Sequence, residues 1–113
     1  MPTAPPEWYP RRGEICWLHL AKDRPGLVIS RDILNRLALD VCVVPITTVH
    51  HRRFALRVGI PAGEGGLKRE SWAKCDQVTT ISKLDVAFPP VGRLPSATLA
   101  RIEDGIRLAL ELH

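Results

Sequence analysis

Val41-Cys42-Val43-Val44-Pro45-Ile46 runs directly into two hydroxyls, Thr47 and Thr48, and then into a cationic cluster, His50-His51-Arg52-Arg53. The apolar stretch reads as the buried part of a long central strand from Leu39 to Ile46. Pro45 cannot donate to a ladder, so the strand end is expected to be an edge or a bulge. A buried strand holds its last residues in a fixed frame, and polar groups there face solvent where binding and catalytic groups usually sit. The donors at this junction suit a phosphate. A turn capped by threonine is the other reading that the segment by itself leaves open.

Upstream, Glu14 to Leu20 and Gly26 to Ser30 are rich in strand formers and are separated by the short loop Ala21-Lys22-Asp23-Arg24, the length of a tight hairpin connection. Arg31 to Arg36 fits one helical turn. Downstream, Arg53 to Ile60 alternates as a half-buried strand with basic residues on one face. Pro61 to Gly66 is turn-rich, Ser71 to Ala73 and Cys75 to Ile81 read as short strands, and Val86 to Pro90 as an irregular connector. Leu99, Ile102, Ile106 and Leu110 recur at helical spacing after Ser96, predicting an amphipathic helix over Ala97 to Leu110 with Ser96 as its N-cap. Gly105 weakens that helix by ~1 kcal/mol relative to alanine, which points to a close contact there. Many short strands followed by one helix make an α+β layout on a small antiparallel barrel-like sheet.

The 113 residues allow a core but leave little room for a second domain. Met1 to Pro10 holds four prolines without the basic-then-apolar order of a secretory signal. It reads as a flexible arm over residues 1–11, ahead of a single domain over residues 12–113. No apolar run reaches the ~20 residues of a spanning helix. Lys and Arg total 16 against 12 Asp and Glu, and the excess is local: Arg52, Arg53, Arg57, Lys68 and Arg69 stand against Glu64 and Glu70. Cys16, Cys42 and Cys75 are widely spaced, as expected for buried thiols in the reducing cytoplasm. No zinc-type spacing is present, and no metal or other cofactor is expected.

Three segments at this order and spacing resemble the MazF/PemK (Kid) family of toxin–antitoxin ribonucleases: Arg12-Gly13-Glu14-Ile15 with Trp17; Arg24-Pro25-Gly26-Leu27-Val28-Ile29-Ser30; and Val44-Pro45-Ile46-Thr47. Gly66-Leu67, then Cys75-Asp76-Gln77 and Thr79-Thr80, then Gly92-Arg93-Leu94 before a terminal helix extend the match over about Arg12 to Leu112. The resemblance implies an SH3-like barrel with a C-terminal helix that forms a homodimer. It implies an mRNA interferase that cuts single-stranded RNA without a metal. A ribose 2'-hydroxyl would attack the adjacent phosphate and leave 2',3'-cyclic phosphate and 5'-hydroxyl ends. The partner would be a cognate antitoxin whose flexible acidic tail occupies the RNA groove, and no membrane is involved.

By resemblance, Arg24 is the family's catalytic arginine and Thr47 its partner at the neighbouring strand end. A guanidinium offers planar, permanently charged donors to phosphate oxygens, and with a pKa above ~12 it serves transition-state charge better than proton donation. Thr47 is cast as a donor that orients the phosphate. Asp76 and Lys74 fall where the Kid branch carries an acid and an arginine; Asp76 would orient a cation or accept a proton, and a strand-edge ion pair is the alternative. Thr48, Arg52, Arg53, Lys74 and Gln77 are expected to bind RNA. Trp17 and Trp72 are expected in the core or the dimer contact, and Trp8 and Tyr9 are exposed candidates for base stacking. His19 faces either core or groove.

The chain departs from its relatives in the first loop, which is normally longer, Gly-rich and, in the Kid branch, carries a histidine. His50 or His51 is therefore the candidate proton carrier, since histidine suits proton transfer near neutral pH. Two other readings stand beside the nuclease. One is a non-enzymatic toxin of the same fold that binds DNA gyrase, against which the non-aromatic ending Leu110-Glu111-Leu112-His113 argues. The other is a catalytically weakened RNA-binding module.

Overall fold

Strand β3, Asp40–Thr47, is the hub of the fold in the computed structural model, which describes residues 3–50 and 56–112. It pairs antiparallel with β2 (Arg24–Val28) on one flank. On the other flank it pairs first with β6 (Thr79–Ser82) and then with β5 (Ser71–Lys74). With β1 (Glu14–Leu18), β4 (Arg57–Ile60) and β7 (Gly92–Arg93), the order among the described residues is β4-β5-β3-β2-β1-β7, with β6 also on β3. The result is a curled antiparallel half-barrel closed by one long C-terminal helix, the α+β class expected. A short helix α1 (Asp32–Leu37) precedes β3, and α2 spans Ser96–Leu110.

Strand alternation splits β3 between two cores. Val44 and Ile46 join Ile15, Leu27, Ile60, Ala73 and, from α2, Ile102. Val41 and Val43 join Cys16, Leu18, Val28, Ile81 and Val86 on the opposite face. Each fully buried aliphatic side chain contributes roughly 1.5–3 kcal/mol. An exposed pair such as Arg107–Asp104 contributes ~0–1 kcal/mol, so the two clusters hold the sheet.

Pro45 is not at an edge. The Cys42 carbonyl accepts from the Ile29 N–H at 3.0 Å, so even-numbered β3 residues direct their backbone toward β2 and Pro45 directs its nitrogen the other way. There the β6 pairing has ended at Val43 and the β5 pairing begins at Ile46. The missing donor falls in the gap between two partners. The segment expected as a strand from Cys75 begins as a turn instead, with the Gln77 N–H donating to the Lys74 carbonyl at 2.9 Å. Strand β4 starts at Arg57, and the first residues expected in it lie outside the described residues.

Helix α2 turns Leu99, Ile102 and Ile106 onto the sheet, while Leu110 is exposed. Ser96 is its first residue and not its cap: Pro95 holds that position, with its carbonyl accepting from Leu99 N–H at 3.0 Å. Gly105 meets the expected close contact, since a Cβ there would lie 2.8 Å from Cys75 Sγ and 3.0 Å from Val58 Cγ2. None of the three tryptophans is fully buried, so of the core and dimer-contact readings of Trp17 and Trp72 the core one does not hold. Trp17 is 41% exposed, Trp72 is half-buried on the outer face of β5, and Trp8 packs edge-on against Phe88 at 5.3 Å. Tyr9 lies under the Arg11 guanidinium at 3.9 Å, and Pro10 is buried. Cys16 and Cys75 are buried, whereas Cys42 is partly exposed. Among the described residues, no helix is long and apolar enough to cross a membrane.

Candidate active site

The sheet register gathers the site. Gly26 lies opposite Pro45, and two residues further along the same antiparallel pair Arg24 falls opposite Thr47. Thr47 is opposite Trp72, Trp72 opposite Gly59, and Lys74 opposite Arg57. Residues directly opposite each other share a face. Arg24, Thr47, Trp72, Lys74 and Arg57 therefore stand on one face. It is the face whose far end is the core of Val28, Val41 and Val43. One surface is apolar and packed at one end, polar and open at the other.

Gly26 allows the close packing that seats β2. A Cβ there would lie 2.3 Å from Leu18 Cδ1, so any larger residue would require the buried Leu18 side chain to shift.

A groove of about 390 Å³ opens over this polar end. Arg24, Pro25, Thr47, Thr48 and Val49 form one wall, Lys22 and Asp23 from the shortened first loop border it, and Leu67, Lys68, Arg69 and Ser71 close the other side. Four cations face one carboxylate, which favours a polyanion. Arg24 Nε donates weakly to the Lys22 carbonyl at 3.4 Å, and among the described residues its terminal nitrogens have no partner. The Thr47 hydroxyl oxygen accepts from Val49 N–H at 3.1 Å. That turn bond occupies a lone pair and leaves the hydroxyl hydrogen to donate into the groove. Thr47 is thus both a turn former and a free donor, so the two readings of the residue are not exclusive.

Lys74, Asp76 and Arg57 form a second patch beside the groove. Arg57 Nη1 lies 3.5 Å from Asp76 Oδ1, and its side chain is 6% exposed. Desolvation, then the charges of Arg24 and Arg57, pull the Lys74 ammonium below its ordinary pKa, while Asp76 opposes them. The Arg24 charge reaches Lys74, so the two patches are electrostatically continuous. Asp76 is paired with a cation, as one of the two expectations held, but the cation is Arg57. Gln77 sits on the turn beyond this patch, its carbonyl accepting from the Thr79 hydroxyl at 3.0 Å, and does not line the groove.

His50 stacks flat on Trp72, with ring centroids 4.6 Å apart and planes 2° from parallel. The candidate proton carrier is therefore held one residue pair away from Thr47. His51, Arg52 and Arg53 lie outside the described residues. His19 is exposed and 3.5 Å from Asp23 at the groove border. Among the described residues, no three His, Cys, Asp or Glu side chains converge as metal ligands would.

The sequence reading passed over Trp72, Arg57, Lys68 and Arg69 as site residues. For Trp72 a signal was present: residues two apart on a strand share a face, so Trp72 must share the face of Lys74. Lys68 and Arg69 reach the groove only because their loop returns to β3.

Comparison with known proteins places nearly the whole chain in one family. Residues 11–110 match the family described as PemK-like, MazF-like toxin of type II toxin-antitoxin system. Endoribonuclease MazF9 of Mycobacterium tuberculosis is 29% identical over 115 residues, covering 90% of this chain and 97% of that protein. Endoribonuclease MazF2 of Mycobacterium bovis is 30% identical over 111 residues, covering 89% and 96%. A mycobacterial endoribonuclease solved in complex with its cognate antitoxin superposes with a TM-score of 0.82 at 25% identity, covering 92% of this chain and 97% of that one. The Mycobacterium tuberculosis toxin MazF-mt6 superposes at 0.80 with 29% identity, covering 88% and 98%. With nearly the whole chain matched in sequence and in fold, this protein belongs to the PemK-like, MazF-like toxins of type II toxin–antitoxin systems.

Proposed function

We propose that the chain is the toxin of a toxin–antitoxin pair and acts as an endoribonuclease on single-stranded mRNA in the cytoplasm. The observation that carries this reading is that Arg24 and Thr47 line the same cationic groove. Cleavage proceeds by attack of a ribose 2'-oxygen on the adjacent phosphorus. The O2'–P bond forms, the P–O5' bond breaks, and the products end in 2',3'-cyclic phosphate and 5'-hydroxyl. The 2'-hydroxyl proton passes to a base and the leaving 5'-oxygen takes up a proton.

Arg24 and Thr47 hold the non-bridging oxygens as charge builds on them, each such preorganised donor contributing roughly 3–4 kcal/mol to barrier lowering. Lys74 adds a point charge beside the same phosphate, and Asp76 orients Arg57. His50 is the described histidine near enough to move a proton. Thr48, Lys68 and Arg69 hold the flanking backbone, with Arg52 and Arg53 assigned to the same task. No step draws on a metal.

The protein works as a homodimer, and its antitoxin places a flexible acidic tail in the groove that RNA uses. Cations that attract phosphates attract carboxylates equally well. The domain responsible spans residues 12–113, with residues 1–11 as the arm. The test is cleavage of single-stranded RNA by purified protein in chelator, with the product ends mapped. Intact RNA, with Arg24→Ala behaving as wild type, would refute the reading.

A further inference from the structure

Trp72 is the large aromatic side chain on the outer face of β5, directly opposite Thr47 and two residues before Lys74. Its neighbour across β4 is Gly59, which has no side chain to compete for the ring. Among the described residues, the ring stacked on the indole is the imidazole of His50, in a parallel arrangement at 4.6 Å. His50 is itself exposed. A planar nitrogen heterocycle lying flat on an indole beside a phosphate-gripping pair has the shape of a bound nucleobase.

We propose that Trp72 is the stacking platform for the unpaired base next to the scissile phosphate, and that His50 holds that seat in the free protein until the base replaces it. This rests on the nuclease reading above. Base–aromatic stacking is strong enough to compete: ~1–3 kcal/mol per base, against ~0.5–1.5 kcal/mol for an aromatic pair beyond its burial. Exchange of one ring for the other keeps the indole covered and releases the imidazole beside Thr47. Base recognition and delivery of the proton carrier become one event.

The experiment first maps a cut site, then uses a 2'-O-methyl copy of that RNA with 2-aminopurine on either side of the cut. Wild-type protein is expected to quench one of the two probes. Trp72→Leu loses the quenching and weakens binding roughly 5- to 100-fold, Trp72→Phe retains most of both, and His50→Ala binds roughly 2- to 10-fold more tightly. Cleavable RNA with no quenching at either probe, or quenching unchanged in a natively folded Trp72→Leu, overturns the platform while leaving the nuclease standing. Should Trp72→Leu fail to fold, affinity unchanged or weakened in His50→Ala overturns it alone. Absence of any cut site overturns the nuclease reading and the platform with it.

Discussion

Removing Arg24 and Thr47 singly and together tests whether they grip one phosphate. Continuation of the Gly26–Pro45 register sets them opposite each other, and Cα atoms in such pairs lie ~4.5–5.5 Å apart. That is well inside the ~7–10 Å beyond which mutational effects add. A preorganised donor to a developing oxyanion contributes ~10²–10³ in rate, so Arg24→Ala and Thr47→Val are each expected to slow single-turnover cleavage by that factor. Independent donors would multiply to ~10⁴–10⁶ in the double variant. Donors sharing a phosphate cannot: once one is gone the phosphate shifts and the other has less left to lose. The double variant should stop near ~10³–10⁴, a coupling of ~1.4 kcal/mol for every tenfold shortfall. Valine also removes the acceptor for Val49 N–H, so Thr47→Ser, which restores both hydroxyl functions, should recover most activity. A double variant equal to the product of the singles, or a serine variant as slow as valine, would refute the shared grip.

Lys74 is held below its ordinary pKa chiefly by desolvation, so in the window between that lowered value and ~10.4 the unfolded chain binds more protons. Stability therefore gains from rising pH across this window, and the gain should be smaller in Lys74→Met when urea midpoints are compared. Gly105→Ala should destabilise by about 1 kcal/mol in urea melts, as overpacking against Cys75 and Val58 outweighs the ~1 kcal/mol helix gain. In a Cys75→Ala background the same change should stabilise; equal effects in both backgrounds would remove the contact as the cause. Burial drives the Cys16 thiol up to about 12 and the Cys75 thiol up to about 11. Alkylation of the native protein at pH 8, followed by mass spectrometry, should accordingly label Cys42 first and the other two only on unfolding. A synthetic acidic peptide should compete with RNA for the groove, with both affinities falling steeply as salt rises; salt-insensitive competition would place the peptide elsewhere.

The order of elements was readable because apolar period is local. Strand alternation around β3, the hairpin of β1 and β2, and the Leu99–Ile102–Ile106 stripe are all written within a few residues of themselves. Errors came where local signals had two outcomes. Pro45 reads as an edge or a bulge, and only the switch from β6 to β5 shows that its nitrogen falls in a gap between two partners. Ser96 has the chemistry of a cap, yet the cap position went to Pro95. Trp72 reads as core or dimer contact from its residue type, and the alternation of Ser71–Lys74 turns it away from the core that Ala73 enters.

By itself the sequence determined the class of fold, the family, and the pairing of an Arg-Pro-Gly strand start with a Pro-Ile-Thr strand end. These depend on residue type and short spacing. Tertiary structure alone decided which groups meet: Arg24 across from Thr47, Lys74 within reach of the Arg24 charge, Asp76 on Arg57, Lys68 and Arg69 on the far groove wall, and His50 on Trp72. The reason is that register between strands far apart in the chain is set by how the two cores fill. No local pattern encodes which residue will stand opposite which.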